Sequence, residues 1–293
     1  MEYPYDLGSY SSPITTTSPQ AQLWFDRGLI WTYGYNHQEA VACFRQALTH
    51  DPNCAMAHWG LAYAAGPNYN MPWALHDQPG RAEALAIAYD ASQAALQHTA
   101  GCTQAETLLI TALQARYPQR ALAEDMHAWD FDFADAMRAA FASCDSHLDL
   151  RTVYAESLLN LTPWKMWDLK SGSPAKGAAT LEAQQVLESA METAPGAMSH
   201  PGLLHIYVHL MEMSPSPEKA LKAADVLRRL VPDAGHLVHM PTHIDVLCGN
   251  YHDVVLWNEE AIKADLKYYA REGAYNIYTG YRQHDYHFVI YGA

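Results

Sequence analysis

The amino-acid sequence predicts an all-α fold in which helix-turn-helix units stack into a solenoid. Three observations lead to this prediction. Residues 21–52 follow the residue spacing of one such unit. Two histidine pairs, His205 with His209 and His239 with His243, recur 34 residues apart, which is the length of the same unit. The apolar content of 49% over 293 residues is sufficient for a sizeable core.

The first unit begins at Ala21, after residues 1–20, which are rich in Ser, Thr, Pro and Tyr and are predicted to be an arm rather than a packed element. In the unit, small residues let two antiparallel helices approach, large residues fill the gaps, and a proline ends the second helix. These residues are Trp24, Gly28, Ala40, Phe44, Ala47 and Pro52. Because this is the pattern of a tetratricopeptide (TPR) repeat, residues 21–293 are predicted to form one TPR-like domain.

Two irregular insertions interrupt the helical pattern. A helix is predicted to end near Ala65, and the sequence GPNYNMPWALHDQPG that follows contains three prolines and two glycines. Helical patterning resumes near Arg81, and the second insertion spans residues 160–177. The aromatic and amide side chains of these loops are interpreted either as covers over exposed core or as walls of a substrate pocket. They are Asn68, Tyr69, Asn70, Trp73, Trp164 and Trp167.

Later repeats are predicted to begin at Pro201 and Gly235, and a further helix contains the C-terminal sequence RQHDYHFVIYGA. That last helix carries apolar side chains, among them Phe288 and Ile290, with no following helix to cover them. We therefore expect either an additional C-terminal segment or a second subunit of a homo-oligomer to pack on this end.

The charge and composition exclude several classes of partner. The formal net charge of −14 and the lack of a basic stripe argue against nucleic acid and anionic membranes. The N-terminus lacks the features of a signal peptide, and no apolar run is long enough to span a bilayer, so a cytoplasmic protein without a membrane partner is expected. The five cysteines are widely spaced and are predicted to be free thiols.

Histidine is concentrated in the C-terminal third, where nine of the sixteen fall between His200 and His287. Side chains at spacings of three, four and seven residues share one helix face, and the first helices of successive repeats line the concave surface of a solenoid. Three adjacent helices would thereby present His205, His209 and Glu212, then His236, His239 and His243, then His284 and His287.

A metal site is the predicted role of this cluster. A lone helical histidine is more often a hydrogen-bonded core group than a ligand, but several buried neutral imidazoles without an ion would need many partners. The predicted ligands are His205, His209, His239 and His243, with three other histidines as replacements or supporting groups: His236, His284 and His287. Glu212 is interpreted as a further ligand or as a catalytic base, and Asp245 as an alternative base.

Three segments of the sequence, YGYNHQEAVACFRQA, DPNCAMAHWGLAYAAGPNYN and DAGHLVHMPTHIDVLCGNY, resemble a family of uncharacterised bacterial and fungal TPR-repeat proteins with a His-rich C-terminal half. The resemblance spans most of residues 21–290 and is specific at GPNYN and HMPTH. It implies an α-helical repeat fold in which the histidines are a shared feature, and it implies no particular reaction. Members of that family extend past the point where this sequence ends.

The function favoured by the sequence is that of a metal-dependent enzyme acting on a small organic molecule in the concave groove. Copper is the favoured ion because the ligand set is all imidazole, which favours redox chemistry, with iron and zinc as alternatives. A zinc ion would instead support a hydrolase or lyase. A non-catalytic TPR scaffold that binds a peptide or protein partner is the second hypothesis, and a metal-storage or sensing protein is the third.

Overall fold

The structure, a computed structural model, describes residues 3–293, and over this range the chain is all α-helical, with two isolated β-bridges and no strand. Short 3-10 turns cover Trp73–Leu75, Ala197–Ser199 and Pro217–Ala220. The α-helices are α1 (Pro19–Tyr33), α2 (His37–His50), α3 (Ala55–Ala65), α4 (Gln78–Gln97), α5 (Gln104–Arg116), α6 (Ala128–Ser143), α7 (Leu148–Leu159), α8 (Thr180–Thr193), α9 (Pro201–Met211), α10 (Leu221–Leu230), α11 (Gly235–His239), α12 (Pro241–Cys248), α13 (Tyr251–Glu272) and α14 (Ile277–Gly292).

The helix ends follow local sequence signals. The Ser18 side chain accepts a hydrogen bond from the backbone N–H of Ala21 at the start of α1, and Asn36 caps α2 in the same way. Thr103 and Glu106 form a reciprocal capping box at the start of α5. Only residues 34–36 separate α1 from α2, and so short a connection makes the two helices antiparallel neighbours.

The first three helices pack closely around one phenylalanine. A Cβ atom added at Gly28 in α1 would lie 2.7 Å from the ring of Phe44, and one added at Gly60 in α3 would lie 2.3 Å from it. Such separations are shorter than any real carbon–carbon contact, so both positions must be glycine for the helices to approach this far. The predicted packing of Gly28 against Phe44 is therefore confirmed, and Gly60, which was not predicted, makes the same contact from a third helix.

Residues 3–18 contain no helix or strand, but they pack on the helices, so the prediction of an arm rather than a packed element was wrong. Tyr5 and Leu7 are each 7% exposed and belong to the core. The hydroxyl oxygen of Tyr3 accepts a 2.6 Å hydrogen bond from the indole N–H of Trp31 in α1. Burial of these aromatic side chains offsets the backbone entropy that a Ser- and Pro-rich segment loses on ordering.

Asp149, at the start of α7, ties this segment to the rest of the fold. Its buried carboxylate accepts hydrogen bonds from Tyr10 (2.7 Å), Ser12 (2.5 Å) and Tyr33 (2.6 Å), and the Nε2 atom of His200 lies 3.1 Å away. Burial alone would raise the pKa of Asp149, but His200 and the hydroxyl donors outweigh it and hold that pKa well below its usual range. The carboxylate thus connects the N-terminal segment, α1, α7 and the residue that caps α9.

The last two helices leave apolar side chains at the surface. Ile290 is 74% exposed and Tyr291 is 66% exposed, so cover by another segment or subunit stays a prediction. Between residues 3 and 293, no helix combines the length and the apolar character needed to cross a bilayer. All five cysteines are unpaired, as predicted.

Candidate metal centre

Helix α9 carries the first histidine pair. The Nδ1 atom of His200 caps the helix by accepting a 3.0 Å hydrogen bond from the backbone N–H of Leu203. Gly202 lets the helix pass under the ring of Tyr33, because a Cβ at this position would lie 2.4 Å from that ring. His205 and His209 lie one turn apart on this helix and are 0% and 3% exposed.

The second set of histidines lies on two short helices rather than one. Pro241 has no N–H to continue the hydrogen-bond ladder, and α11 ends at His239 while α12 begins at Pro241. The predicted continuous helix over His236, His239 and His243 was therefore wrong. The break nevertheless keeps the Nε2 atoms of His239 and His243 only 3.0 Å apart.

The histidines form two groups of three. Cluster A consists of His205, His209 and His236, and cluster B consists of His239, His243 and His284. Within each cluster, one ring nitrogen from each residue lies within 4.8 Å of the other two, so each cluster can hold a metal ion. The sequence predicted instead that the two histidine pairs converge on one ion. The four predicted ligands are divided between the clusters, and His236 and His284 complete them.

In cluster B, neighbouring acceptors fix which ring nitrogen carries the proton. The Nδ1–H of His239 donates to Oδ1 of Asn258 at 2.6 Å, and the amide group of Asn258 itself donates to Thr242 and Val254. The Nδ1–H of His243 donates to the carboxylate of Glu212 at 2.7 Å. With its Nδ1–H committed in this way, each ring directs Nε2 toward the same point.

In cluster A, His209 is oriented in the same way, since its Nδ1–H donates to the other carboxylate oxygen of Glu212 at 2.8 Å. The Nε2 atom of His209 is buried and has no hydrogen-bond partner. The Nε2 atoms of His205 and His236 lie 3.1 Å apart. Glu212 therefore joins the two clusters through one histidine of each.

The electrostatics of the site keep four of the imidazoles neutral and Glu212 ionised. Burial, followed by repulsion from neighbouring histidines, lowers the pKa values of His205, His236 and His239 well below the usual range and that of His284 to about 4. Burial would raise the pKa of Glu212, but the adjacent His243 and His209 outweigh it and lower that pKa. Neutral imidazole is the form that binds metals.

A cavity of about 570 Å³ opens beside both clusters, which we call the histidine cavity. Two predicted pocket residues, Asn70 and Trp164, lie in its wall, and the ring of a third, Tyr69, packs 4.8 Å from the ring of His209. The cavity is lined by Asn70, Trp164, His209, Glu212, Met213, His236, His239, Met240, His243, Gly280, Tyr281 and His284.

Several predicted site residues lie elsewhere. Trp167 is held by a 2.7 Å hydrogen bond from its indole N–H to the carbonyl of Leu210, and Trp73 packs against His76. Asn68 closes a tight turn by accepting hydrogen bonds from the backbone N–H groups of residues 70 and 71. His287 is exposed and belongs to neither cluster. The structure thus does not bring these four residues to the histidine cavity.

Asp245, predicted as an alternative base, is also remote from the cavity. Its carboxylate forms a 2.8 Å ion pair with the guanidinium of Arg228, and both side chains are 1% exposed. This ion pair connects α12 to α10, so Asp245 has a structural role. Besides Glu212, a second carboxyl group does approach a cluster: Asp285 lies 3.0 Å from Nδ1 of His239, and burial together with the adjacent Asp265 raises the pKa of Asp285.

Sequence reasoning missed the aromatic residues that enclose cluster A. The ring of Tyr35 lies 4.7 Å from that of His205 and stacks on His209 and His236 at 5.7 and 5.6 Å. Tyr35 has a φ of +53°, an uncommon value for tyrosine that the sequence does not reveal. The ring of Tyr281 packs 4.5 Å from that of His236. Asn258 was also missed, because a single polar residue inside a helix carries no signal of its partner.

Comparison with known proteins gives no assignment for this site. The chain matches no protein-family model and no curated protein. The functional argument therefore rests on the geometry of the two clusters and the cavity.

Proposed function

We propose that this protein is a metal-dependent enzyme that holds a transition-metal ion in each histidine cluster and acts on a small organic molecule in the histidine cavity. Oxidation is the favoured chemistry and copper the favoured ion. The single observation that carries the proposal is the 3.0 Å approach of Nε2 of His239 to Nε2 of His243.

That approach is unfavourable for two neutral imidazoles without a cation. Both Nδ1–H groups are already committed, to Asn258 and to Glu212, so each facing Nε2 presents a lone pair. Two acceptors at hydrogen-bond distance repel each other, and a separation of 3.0 Å leaves no room for a water molecule between them. A metal ion removes the repulsion because each Nε2 then becomes a ligand. The donor set therefore fits an ion.

The ligand chemistry favours copper over zinc or iron. Each cluster offers three imidazoles and no cysteine, and the carboxylate of Glu212 is occupied by histidine Nδ1–H groups. Nitrogen donors of this kind suit copper, and three protein ligands leave a coordination position open to the cavity. Bound copper would supply oxidation of the substrate with dioxygen as the oxidant.

The residues around the clusters position the ligands and the substrate. Glu212 orients His209 and His243, so we assign it a positioning role. The side chains of Asn70, Trp164 and Tyr281 form the cavity wall where a substrate would bind. The aromatic rings supply apolar contact, and the amide of Asn70 can hydrogen-bond a hydroxyl or carbonyl group.

A zinc-dependent hydrolase or lyase is the second candidate. The observation in its favour is that Glu212 lines the cavity and has a lowered pKa, so an ionised carboxylate lies where a base would act. A non-catalytic scaffold that binds a peptide or protein partner is a third candidate, which needs no ion in either cluster.

The TPR-like solenoid and the resemblance to TPR-repeat proteins are part of the same proposal. Support comes from the antiparallel pair α1 and α2 and from the close approach of Gly28 and Gly60 to Phe44. The histidines come from α9, α11, α12 and α14, which is consistent with ligands contributed by successive repeats.

Metal analysis of single variants tests the proposal. The freshly purified protein is expected to contain two ions per chain, and His205→Ala and His243→Ala are each expected to lower this to one. His252→Ala, at an exposed position outside both clusters, serves as the matched control. Circular dichroism checks that each variant is folded. Two ions retained by both cluster variants would contradict the proposal, and the elements found would decide between copper, iron and zinc.

A further inference from the structure

The backbone geometry distinguishes two aromatic residues at the histidine site. Among the residues that the structure describes, Tyr35 and Trp164 are the only ones other than glycine with a positive φ, at +53° and +57°. This conformation is costly for an aromatic residue, and it persists where the surrounding structure fixes it, often at a ligand site. Tyr35 is buried against cluster A, whereas Trp164 lines the histidine cavity and is 40% exposed. Trp164 therefore offers a large, accessible ring to a molecule in the cavity.

A buried tyrosine connects Trp164 to cluster A. The hydroxyl oxygen of Tyr69 accepts a 3.0 Å hydrogen bond from the backbone N–H of Trp164, and the centroids of the two rings lie 5.8 Å apart. The ring of Tyr69 is 0% exposed and also packs 4.8 Å from that of His209. These contacts hold the loop that carries Trp164 at a fixed place relative to the metal ligands.

The wall of the histidine cavity carries no charge away from the histidines and Glu212. It consists there of one indole, one phenol, two thioethers, one amide and one glycine, from Trp164, Tyr281, Met213, Met240, Asn70 and Gly280. Aromatic rings and thioethers make favourable contacts with another aromatic ring, and the amide can hydrogen-bond a hydroxyl or carbonyl group. A sugar or nucleotide would bury many polar groups against this wall with few partners. The wall therefore suits an uncharged aromatic compound.

Helix α14 leaves room for such a compound. Gly280 lines the cavity, and a Cβ atom added at this position would meet no atom within 4 Å. Glycine inside a helix is less favourable than alanine, and here no close contact within the protein requires it. The volume of about 570 Å³ equals that of about twenty water molecules at about 30 Å³ each, which is enough for one or two aromatic rings.

We propose that the histidine cavity binds an uncharged aromatic compound with a hydroxyl or carbonyl group, and that Trp164 selects it by packing against its ring. The offset-stacked and edge-to-face arrangements that aromatic pairs prefer are available to an indole exposed on this wall. Asn70 binds the polar group of the compound. The proposal rests on the proposed function, because it names the substrate class of the same site.

Calorimetric titration of the purified protein with 1-naphthol tests this assignment, with the metal content measured on the same sample. One molecule is expected to bind saturably. Decahydro-1-naphthol has the same carbon skeleton and hydroxyl group but no aromatic ring, and it should bind at least tenfold more weakly. Trp164→Ala is expected to remove this preference, and Trp164→Phe to retain part of it. Phe131→Ala removes an aromatic ring that is 47% exposed on α6, and as the matched control it should bind both compounds as the unmodified protein does.

A second variant obstructs the cavity without removing an aromatic ring. Gly280→Leu adds a side chain where the protein itself has open space, and leucine is the better helix former. We expect it to weaken 1-naphthol binding at least tenfold without lowering the melting temperature. Ala139→Leu, at an exposed position on α6, is the matched control.

The results that would overturn the proposal are distinct from those that would refute the metal centre. A lack of saturable 1-naphthol binding, equal affinity for the two compounds, or affinity unchanged in both Trp164→Ala and Gly280→Leu would each overturn it. If the protein holds copper in these cases, the proposed function stands and only the substrate class is lost. A protein that takes up no metal but binds 1-naphthol through Trp164 would support the aromatic site and refute the proposed function.

Discussion

The two histidine clusters have the same composition and different environments. All three histidines of cluster A are buried, whereas in cluster B the side chain of His243 is 21% exposed and His284 also reaches the surface. In cluster B, acceptors hold Nδ1 of His239 and His243, but in cluster A the Nδ1 atoms of His205 and His236 have no hydrogen-bond partner. Aromatic rings pack on both clusters, with Phe288 against all three rings of cluster B, but cluster A is fully buried, whereas cluster B is oriented by hydrogen bonds and reaches the surface.

This difference indicates that different interactions hold the same set of three histidines in the two clusters. Stacking of Tyr35 on cluster A restricts its rings by packing, at the cost of unpartnered polar atoms. Hydrogen bonds from His239 and His243 to Asn258 and Glu212 restrict cluster B and also select the tautomer. The following predictions test that contrast.

Acidification should destabilise the metal-free protein strongly. The pKa values of His205, His236 and His239 are lowered by folding, so below pH 6.5 the unfolded chain binds more protons than the folded one and stability falls as the pH falls. Each such histidine contributes up to about 1.4 kcal/mol per pH unit, or roughly 4 kcal/mol per unit for the three together.

Urea unfolding of the metal-free protein at a series of pH values from 7.5 to 5 measures this effect. The metal-loaded protein is the control, since bound ions should stabilise it and shift the loss to lower pH. Equal unfolding free energies at pH 7 and pH 5.5 in the metal-free protein would mean that the buried rings are not held neutral.

Removal of the shared carboxylate should weaken both clusters together. Glu212→Ala leaves Nδ1 of His209 and His243 without an acceptor, and loss of such a partner typically lowers metal affinity by about 10–100-fold. In Glu212→Gln, the amide oxygen can accept from only one of the two rings, so one cluster should retain more affinity than the other.

Competition with a chromogenic chelator measures the affinities, and Glu218→Ala, at an exposed position, is the matched control. A decrease confined to one cluster in Glu212→Ala would show that the carboxylate does not couple the two.

Solvent access should make the clusters exchange metal at different rates. Cluster B is the more exposed, so a chelator added in excess is expected to remove one ion per chain in a fast phase and the second in a slower phase. Stopped-flow absorbance resolves the phases, and His243→Ala should delete the fast one while His205→Ala deletes the slow one. A single phase for both ions would contradict the difference in access.

Of these changes, removal of the Tyr35 hydroxyl group should have the smallest effect on stability and metal content. It is buried without a hydrogen-bond partner, so Tyr35→Phe keeps the ring stacked on cluster A and is expected to change the unfolding free energy by less than about 1 kcal/mol. The metal content should stay at the level of the unmodified protein. Elemental analysis and urea unfolding check both points, and loss of metal from Tyr35→Phe would assign the hydroxyl a direct part in cluster A.

Much of the helical architecture could be predicted from the sequence because its signals are local. The spacing of Gly28, Phe44 and Pro52 predicted the first helical pair, and runs of Pro and Gly predicted the two irregular insertions. The four histidines chosen as ligands all belong to the clusters: His205 and His209 share a face of α9, and the short break at Met240 keeps His239 and His243 together.

The division into two clusters could not be predicted, because it depends on how separate helices pack. Pro241 ends α11 directly after His239, and α14 brings His284 to the second pair rather than the first. Asp245 has the same spacing from the histidines whether it faces the cavity or Arg228, and only tertiary packing decides between them. The order of residues 3–18 likewise comes from contacts with helices distant in sequence, such as that of Ser12 with Asp149.

The contacts of Asp149 have a practical consequence for handling the protein. Its carboxylate accepts hydrogen bonds from Tyr10 and Ser12 and also contacts His200. His200 in turn caps the helix that carries His205 and His209. Proteolytic trimming of the first fifteen or so residues during purification would strip two donors from a buried anion while leaving every histidine in place. A preparation with poor metal content should therefore have its intact mass measured before any fault is sought in the clusters themselves.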